Sequence, residues 1–415
     1  MAAFRYGVNG RSKRLAMPRP YHRPVPRLVL HDAALADGAS ASLRTGVSLA
    51  IEDGRIAWIR PNDSADTTGA EVFDAGGAVI IPALVDCHSH LTMQGGSHWI
   101  ARADDPPAVL RQVARDNAAR LAQAGVLWSR DVGAPMANGA PLSVAARDEL
   151  KGRPGAPYIR VAGTWIAAKG YDFMDVTVDG AGLKDAALRQ LDLGTDLVKI
   201  YMDAPNRVTR SPFTVDELSA AVDAVHERGA KVAAHSTYLD GARVAAEAAV
   251  DSIEHGMQLD DDIVRTMQRN GVTLVSTLSV FASWETFATT TTIERFTSRE
   301  GRERTATLKE GAYAAIGAAK RAGVTIATGS DFGGGSVRAG HLAWEVELLV
   351  AAGLEPCEAL AAATRNGGAL YGVEHAGRVD EGQPADLVLV HGDPLSDPRA
   401  LWRVWAVFQR GARVA

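Results

Sequence analysis

The sequence predicts an α/β protein: a (β/α)8 TIM barrel with a small composite β-sandwich domain built from both termini. Two observations carry that expectation. In the middle of the chain short apolar runs alternate with stretches rich in Ala, Leu, Glu and Arg, and alternation of this kind builds a parallel sheet. Eight such units over about 250 residues is the size of a closed barrel. Toward both ends the texture changes to short strands and turns, as if one small domain were assembled from the two ends. The expected division is a flexible basic tail over 1–24, a composite β domain from 25–80 and 376–415, and the barrel over 81–375. A doubly wound open sheet fits less well, because no Gly-x-Gly-x-x-Gly turn follows the first strand.

Taken in order, the first residues are basic and irregular, with Arg5, Arg11, Lys13, Arg14, Arg19 and Arg23 among several prolines. They lack the apolar segment of a secretory signal, and we read them as a mobile tail or the product of an upstream start codon. Short strands follow at Leu28 to Leu30, Val47 to Ile51 and Arg55 to Ile59. Asp53-Gly54 between the last two is a hairpin signal. The same texture returns at Leu387 to Val390 and Trp402 to Phe408. Between these ends, barrel strands are expected at Leu84 to Leu91, Gly125 to Val132, Tyr158 to Thr164 and Asp196 to Met202. Four more follow at Lys231 to His235, Ser252 to His255, Val272 to Leu278 and Val324 to Gly329. Helices are expected at Ala108 to Ala124, Thr214 to Arg228, Asp240 to Ala249 and Glu303 to Ala322, with a long lid-like loop over Phe281 to Arg304.

Composition narrows the function. The chain has 415 residues, 47% of them hydrophobic and 22% charged, with a formal charge of -5, which gives no basis for binding nucleic acid or an anionic membrane. Two cysteines, Cys87 and Cys357, exclude a disulfide framework and fit a reducing compartment. No apolar run reaches the ~18 residues of a membrane span. The expected setting is the cytoplasm and the expected partner a small-molecule substrate.

A barrel places its functional residues at the C-terminal ends of its strands, and unusual residues gather there. His88 and His90 end the first strand. Being two apart they face the same side, while Cys87 between strand neighbours faces the other way as a small core residue. The fourth run carries Lys199, the fifth ends at His235, the sixth at Glu254-His255 and the eighth at Asp331. Each has a bland reading by itself: a core histidine, a snorkelling lysine, an aspartate capping a turn. Their joint placement is what points to a metal centre. A lysine in an apolar strand carries a large desolvation cost unless its charge is removed or paired. Its neutral amine can add carbon dioxide to give an anionic carbamate able to bridge two metal ions.

From this inventory, His88, His90 and Asp331 hold one metal, His235 and His255 the other, and carboxylated Lys199 bridges both. Two divalent ions activate a shared water for attack on a carbonyl, with Asp331 as the proton shuttle. Zinc is the first choice, and His with carboxylate ligands also accommodates manganese, cobalt or iron. His98 and His341 follow the first and eighth strands as possible substrate contacts, and Lys169 and Arg338 are possible anchors for a substrate carboxylate.

This set of His-x-His, strand lysine, His, His and Asp resembles the amidohydrolase superfamily, whose members are metal-dependent hydrolases on a (β/α)8 barrel. Within it the lysine marks the binuclear subtype. The likeness extends from Ile81-Pro82 ahead of the first ligands through Ser129-Arg130-Asp131-Val132-Gly133. It continues in Glu358 to Thr364, Gly377-Arg378 to Gly382, Ala385-Asp386-Leu387 and Gly392-Asp393-Pro394-Leu395. Lys199-Ile200-Tyr201 and Asp251 to Gly256 are most similar to the imidazolonepropionase-like and Xaa-Pro dipeptidase (prolidase)-like branch. That resemblance implies cleavage of a C–N bond in an amide, lactam, carbamate, N-acyl amino acid or dipeptide. It also implies a homo-oligomer and a carbonyl-polarising tyrosine, for which Tyr238 is the candidate and Tyr201 its competitor. One departure stands out: the branch's Gly-Gly-His after the third strand is replaced by Thr164-Trp165 and the residues that follow, which counts against a dipeptide. The same centre also suits a lactone or phosphotriester, and a non-catalytic assembly protein on this fold would have no need of the ligands.

Overall fold

The computed structural model describes residues 27–171 and 174–415, so the basic tail over 1–24 lies outside the described residues. Strands from both ends of the chain share one sheet. Its order is Ala412–Arg413, Val404–Gln409, Leu387–Val390, Val79–Pro82, Leu28–Leu35, Arg44–Glu52, Arg55–Pro61, with Glu71–Asp74 also paired to Leu28–Leu35. Alternate side chains of these strands make a core of Leu30, Leu35, Leu49, Ile51, Ile80, Leu387, Leu389 and Phe408. The hairpin turn forms as its residues dictate: Asp53 and Gly54 both adopt the left-handed backbone (φ 49° and 75°) that a tight two-residue turn requires. The chain leaves this sheet through Val79–Pro82, antiparallel to Leu387–Val390, and enters the barrel at Leu84.

The eight barrel strands appear in sequence order and run parallel: Leu84–Ser89, Val126–Asp131, Tyr158–Val161, Leu197–Tyr201, Lys231–Ser236, Ser252–His255, Thr273–Ser276 and Ile326–Thr328. The third is broken. Its first part pairs with the second strand; Gly163 (φ 80°) turns the chain, and Trp165–Ala168 pairs instead with the fourth strand, Trp165 opposite Lys199. The ring closes between the eighth strand and the first, where Asp331 N donates to His88 O (2.7 Å) and His90 N to Phe332 O (2.9 Å). Closure is therefore made by the backbone of three expected ligands.

Helices 107–123, 215–227, 239–247, 261–270 and 299–322 cover the barrel. Helix 215–227 starts at a reciprocal cap between Thr214 and Glu217, two polar side chains satisfying otherwise free backbone N–H groups. The segment expected as a long loop over Phe281 to Arg304 is largely helical: Ser279–Thr286, Glu294–Thr297, then the start of Arg299–Ala322. Its aromatic residues explain the difference, since Phe281, Trp284, Phe287 and Phe296 pack on one another and on Trp99. Apolar residues at that spacing order a segment that polar threonines alone would not. No helix among the described residues is long and apolar enough to cross a membrane.

Candidate metal centre

The first strand delivers its histidines with their rings already oriented. His88 is buried, and its Nδ1 lies 2.7 Å from Glu254 Oε2. A carboxylate only accepts, so Nδ1 donates and the neutral ring keeps its lone pair on Nε2. His90 repeats the logic with Nδ1 2.7 Å from the carbonyl oxygen of Gly133. Both Nε2 atoms then face one carboxylate oxygen, Asp331 Oδ1, at 3.5 Å from His88 and 3.2 Å from His90. Lone pairs aimed at a carboxylate oxygen repel unless a cation lies among them. Burial holds His88 and His255 well below the usual imidazole range, which keeps them neutral and fit to ligate. For His90 burial acts the same way, but the Asp331 carboxylate prevails and raises it.

His88, His255 and Asp331 present ligand atoms within 4.8 Å of one another. His255 is fixed by Thr277, whose Oγ1 stands 2.7 Å from Nδ1. Both His255 and Asp331 sit in left-handed backbone (φ 69° and 50°), at a cost of about 1–2 kcal/mol each for a residue other than glycine. Such strain collects at functional sites. Glycines make room for the rings: a Cβ on Gly329 would come within 2.3 Å of His88 Cβ, and one on Gly334 within 2.1 Å of the His90 ring.

His235 lies beside His255, ring centroids 4.6 Å apart, and its Nε2 is 3.2 Å from Asp203 Oδ2. Asp203 also accepts from the backbone N–H and hydroxyl of Thr237. Lys199 is the unusual member. It is 1% exposed and its Nζ has no hydrogen-bond partner among the described residues. Burial brings its amine down to about 8, and its charge acts on His88, His255, Glu254, Asp331 and Asp203. An orphaned buried amine among neutral imidazoles and carboxylates is the donor set that two bridged cations would satisfy.

The structure thus brings together all six expected ligands. Tyr201 stacks face to face on His235 (3.9 Å, 11°), while Tyr238 stands half-buried ahead of helix 239–247. Other candidates lie elsewhere. Lys169 is exposed and paired with Asp179 (2.8 Å). His341 turns to Trp402 and to the carbonyl of Arg338, and His98 is exposed. Arg338 is exposed too, close above Gly96.

Sequence reasoning missed the residues that hold the ligands. Glu254 is fully buried between His88, Arg130 Nη2 (3.2 Å) and Ser252 Oγ (2.5 Å). Asp86 accepts from Ser330 Oγ (2.6 Å) and Ser330 N (3.0 Å), tying the first strand to the eighth, and burial pushes it up to about 7. Asp131, pushed up to about 6 by burial, accepts from Leu91 N and Gly133 N. The signal was present for Glu254: like Lys199, it is an ionisable residue inside an apolar strand and needs a partner.

A parallel barrel with these side chains at the C-terminal ends of its strands is that of a barrel hydrolase. The Amidohydrolase family model matches residues 79–414, and the chain belongs to that family. An uncharacterized protein of Mycobacterium tuberculosis is 31% identical over 406 residues, covering 96% of this chain and 98% of that one. An imidazolonepropionase of Anaeromyxobacter dehalogenans is 25% identical over 415 residues, covering 88% and 90%. The crystal structure of a Xaa-Pro dipeptidase with methionine bound in its active site superposes with a TM-score of 0.80 at 25% identity, covering 93% and 99%. Prolidase-like and imidazolonepropionase-like proteins are thus its neighbours, the branch that its motifs resemble.

Proposed function

We propose that this hydrolase cleaves a C–N bond of an amide, lactam, carbamate or N-acyl amino acid, using two divalent metal ions, zinc first. His88, His90 and Asp331 would hold one ion, His235 and His255 the other, with Lys199 as a carbamate between them. The observation that carries this reading is the Lys199 amine, buried without a partner among the six ligands. When bound, such ions polarise the carbonyl and lower the pKa of a water. The chain's own part is positional and protolytic. Asp331 takes the proton from the attacking water and returns it to the leaving nitrogen. Glu254, the Gly133 carbonyl, Thr277 and Asp203 fix the imidazoles so that none reorganises during reaction.

Beside this polar cluster stands an apolar wall of Met93, Trp165, Ala167 and Met174, with Tyr171 and Tyr201 packed on it. Trp165, which replaces the glycine-rich stretch of relatives, lies 5.6 Å from the His90 ring. That wall supports a substrate with an apolar group next to the scissile bond. The test is a hydrolysis panel of N-acyl amino acids, Xaa-Pro dipeptides, cyclic amides, carbamates, lactones and phosphotriesters, with metal analysis alongside. Turnover of a C–N compound, lost in Asp331→Asn, is expected. Less than about one divalent ion per chain, with no turnover after metal addition, sinks the enzyme reading. Turnover confined to lactones or phosphotriesters moves the same centre to another bond.

A further inference from the structure

A cavity of about 280 Å³ is lined by Arg207, Arg295, Arg304 and Trp284, with Glu294 and Glu300 also at its wall. Among the described residues none of the three arginines makes an ion pair or a side-chain hydrogen bond, and neither glutamate pairs with them. The indole Nε1 of Trp284 is buried and likewise without an acceptor. All three arginines are exposed, so an accepting ligand in this cavity has only water to displace from their donors.

Arg295 is also held in place. The Arg295 guanidinium carbon stands 4.7 Å from the Trp99 ring centre and 4.9 Å from that of Trp284, two near-parallel rings (18°). Stacking of this kind fixes the plane of the guanidinium and leaves its N–H edges free. Partial desolvation against the rings, and then repulsion from Arg304, work against its charge, and an anion between the two arginines would offset that repulsion.

Position links the cavity to the metal centre. Arg207 follows the fourth barrel strand; Trp284, Arg295 and Arg304 follow the seventh. Both segments leave the C-terminal ends of their strands, the end of the barrel at which the candidate ligands stand, and strands five and six lie between them. A cavity walled by both therefore spans that side of the barrel mouth. Each wall is rooted at the centre: Asp203, four residues before Arg207, bonds His235, and Ser279 Oγ donates to the carbonyl of Ser330, next to Asp331.

We propose that Arg207, Arg295, Arg304 and the Trp284 indole N–H form an anion-binding subsite at the rim of the barrel, holding an oxyanion, a carboxylate by first choice, on the part of the substrate remote from the scissile bond. As a substrate subsite it rests on the reading under Proposed function. Two probes without a scissile bond separate the ideas: 3-phenylpropionate and its neutral counterpart 3-phenylpropanol, titrated calorimetrically into metal-loaded protein.

The wild type is expected to bind the carboxylate at least about tenfold more tightly. Arg304→Ala, whose side chain packs on no ring, and Arg295→Gln should each shrink that preference about threefold or more, and the double variant should abolish it. Inorganic phosphate displacing 3-phenylpropionate from the wild type but not from the double variant identifies a general oxyanion site; failure to displace it identifies a carboxylate site. A preference that survives in the double variant overturns the proposal, because the carboxylate is then held at the metals. Equal binding of the two probes by the wild type overturns it as well. If the preference is found while the hydrolysis panel shows no turnover, the C–N reading falls and the anion site stands. Turnover without the preference gives the converse.

Discussion

The sheet built from the chain ends and the mouth of the barrel are both sealed from water, yet they bury opposite chemistry. The sheet's core is Leu, Ile, Ala and Phe, with Leu49, Ile80, Leu387 and Leu389 at 0% exposure. The barrel mouth, no more exposed, buries Asp86, His88, Asp131, Lys199, Glu254 and Asp331. Burying an apolar side chain is favourable, about 25 cal/mol per Å², whereas burying an unpaired charge costs several kcal/mol. A chain that folds with so many ionisable groups at one end of one barrel has partnered nearly all of them, and the partners form a single connected shell. Among the described residues of this shell the Lys199 amine has no hydrogen-bond partner at all, while Arg130, with Nε and Nη1 unmatched, still donates through Nη2. Where polar burial is uncompensated by protein, a ligand is the compensation.

The difference can be broken most sharply at Asp331. Asp331→Asn keeps the size and removes the proposed base and one proposed anionic ligand, so turnover of the working substrate should fall by about 10²–10⁴, measured as kcat at saturating metal. A loss smaller than tenfold would take Asp331 out of the proton path. Glu254→Gln comes next. It leaves Arg130 buried with a weaker partner and frees the His88 ring, and loss of such a supporting group lowers metal affinity about 10–100-fold. The check is metal content after dialysis against a competing chelator; full retention would make Glu254 a structural residue only.

A smaller effect is expected from pH. Burial brings the Lys199 amine down to about 8. Only the neutral amine adds carbon dioxide, and a lowered value means that this form is already the majority above about pH 8. Addition also releases a proton, so the lowered value shows in the rate and not in the final amount: in metal-free protein at fixed dissolved carbon dioxide, the initial rate of carbamate formation should rise about tenfold per unit below pH 7 and level off above about 8. Time-resolved carbon-13 NMR after addition of labelled carbon dioxide reads that rate. A rate still climbing at pH 10 would mean that the amine is not lowered, and an unchanged signal in Lys199→Ala would exclude the carbamate.

How much of this was legible in the sequence differs between the same two regions. The barrel strands and the six candidate ligands could be placed because their signals are local: an apolar run, then a histidine, lysine or aspartate where such a run ends. Asp53-Gly54 was legible because its backbone demands are short-range. The shell behind the ligands was not, because Glu254 on the sixth strand meets His88 on the first, and Asp86 on the first meets Ser330 after the eighth. Those contacts exist only once the ring closes. The helices within 279–304 were hidden for a related reason: Trp284 and Phe296 acquire helical order by packing on Trp99, far away in sequence.

The contrast is sharpened from its apolar side by Leu389→Ala. Leu389 is wholly buried in the terminal sheet, paired with Ile80 on one flank and Ala406 on the other. Truncation leaves a cavity and should cost about 2–5 kcal/mol of stability, read as a lower midpoint in denaturant. Yet none of its neighbours in that core is a ligand or holds one, and the sheet meets the barrel at the strands' opposite, entry end through Val79–Pro82 and Leu84. The kcat and metal content of the folded fraction should therefore match the wild type within about twofold. If they fall as far as in Glu254→Gln, the two regions are coupled, and the terminal sheet helps to hold the metal centre instead of only closing the fold.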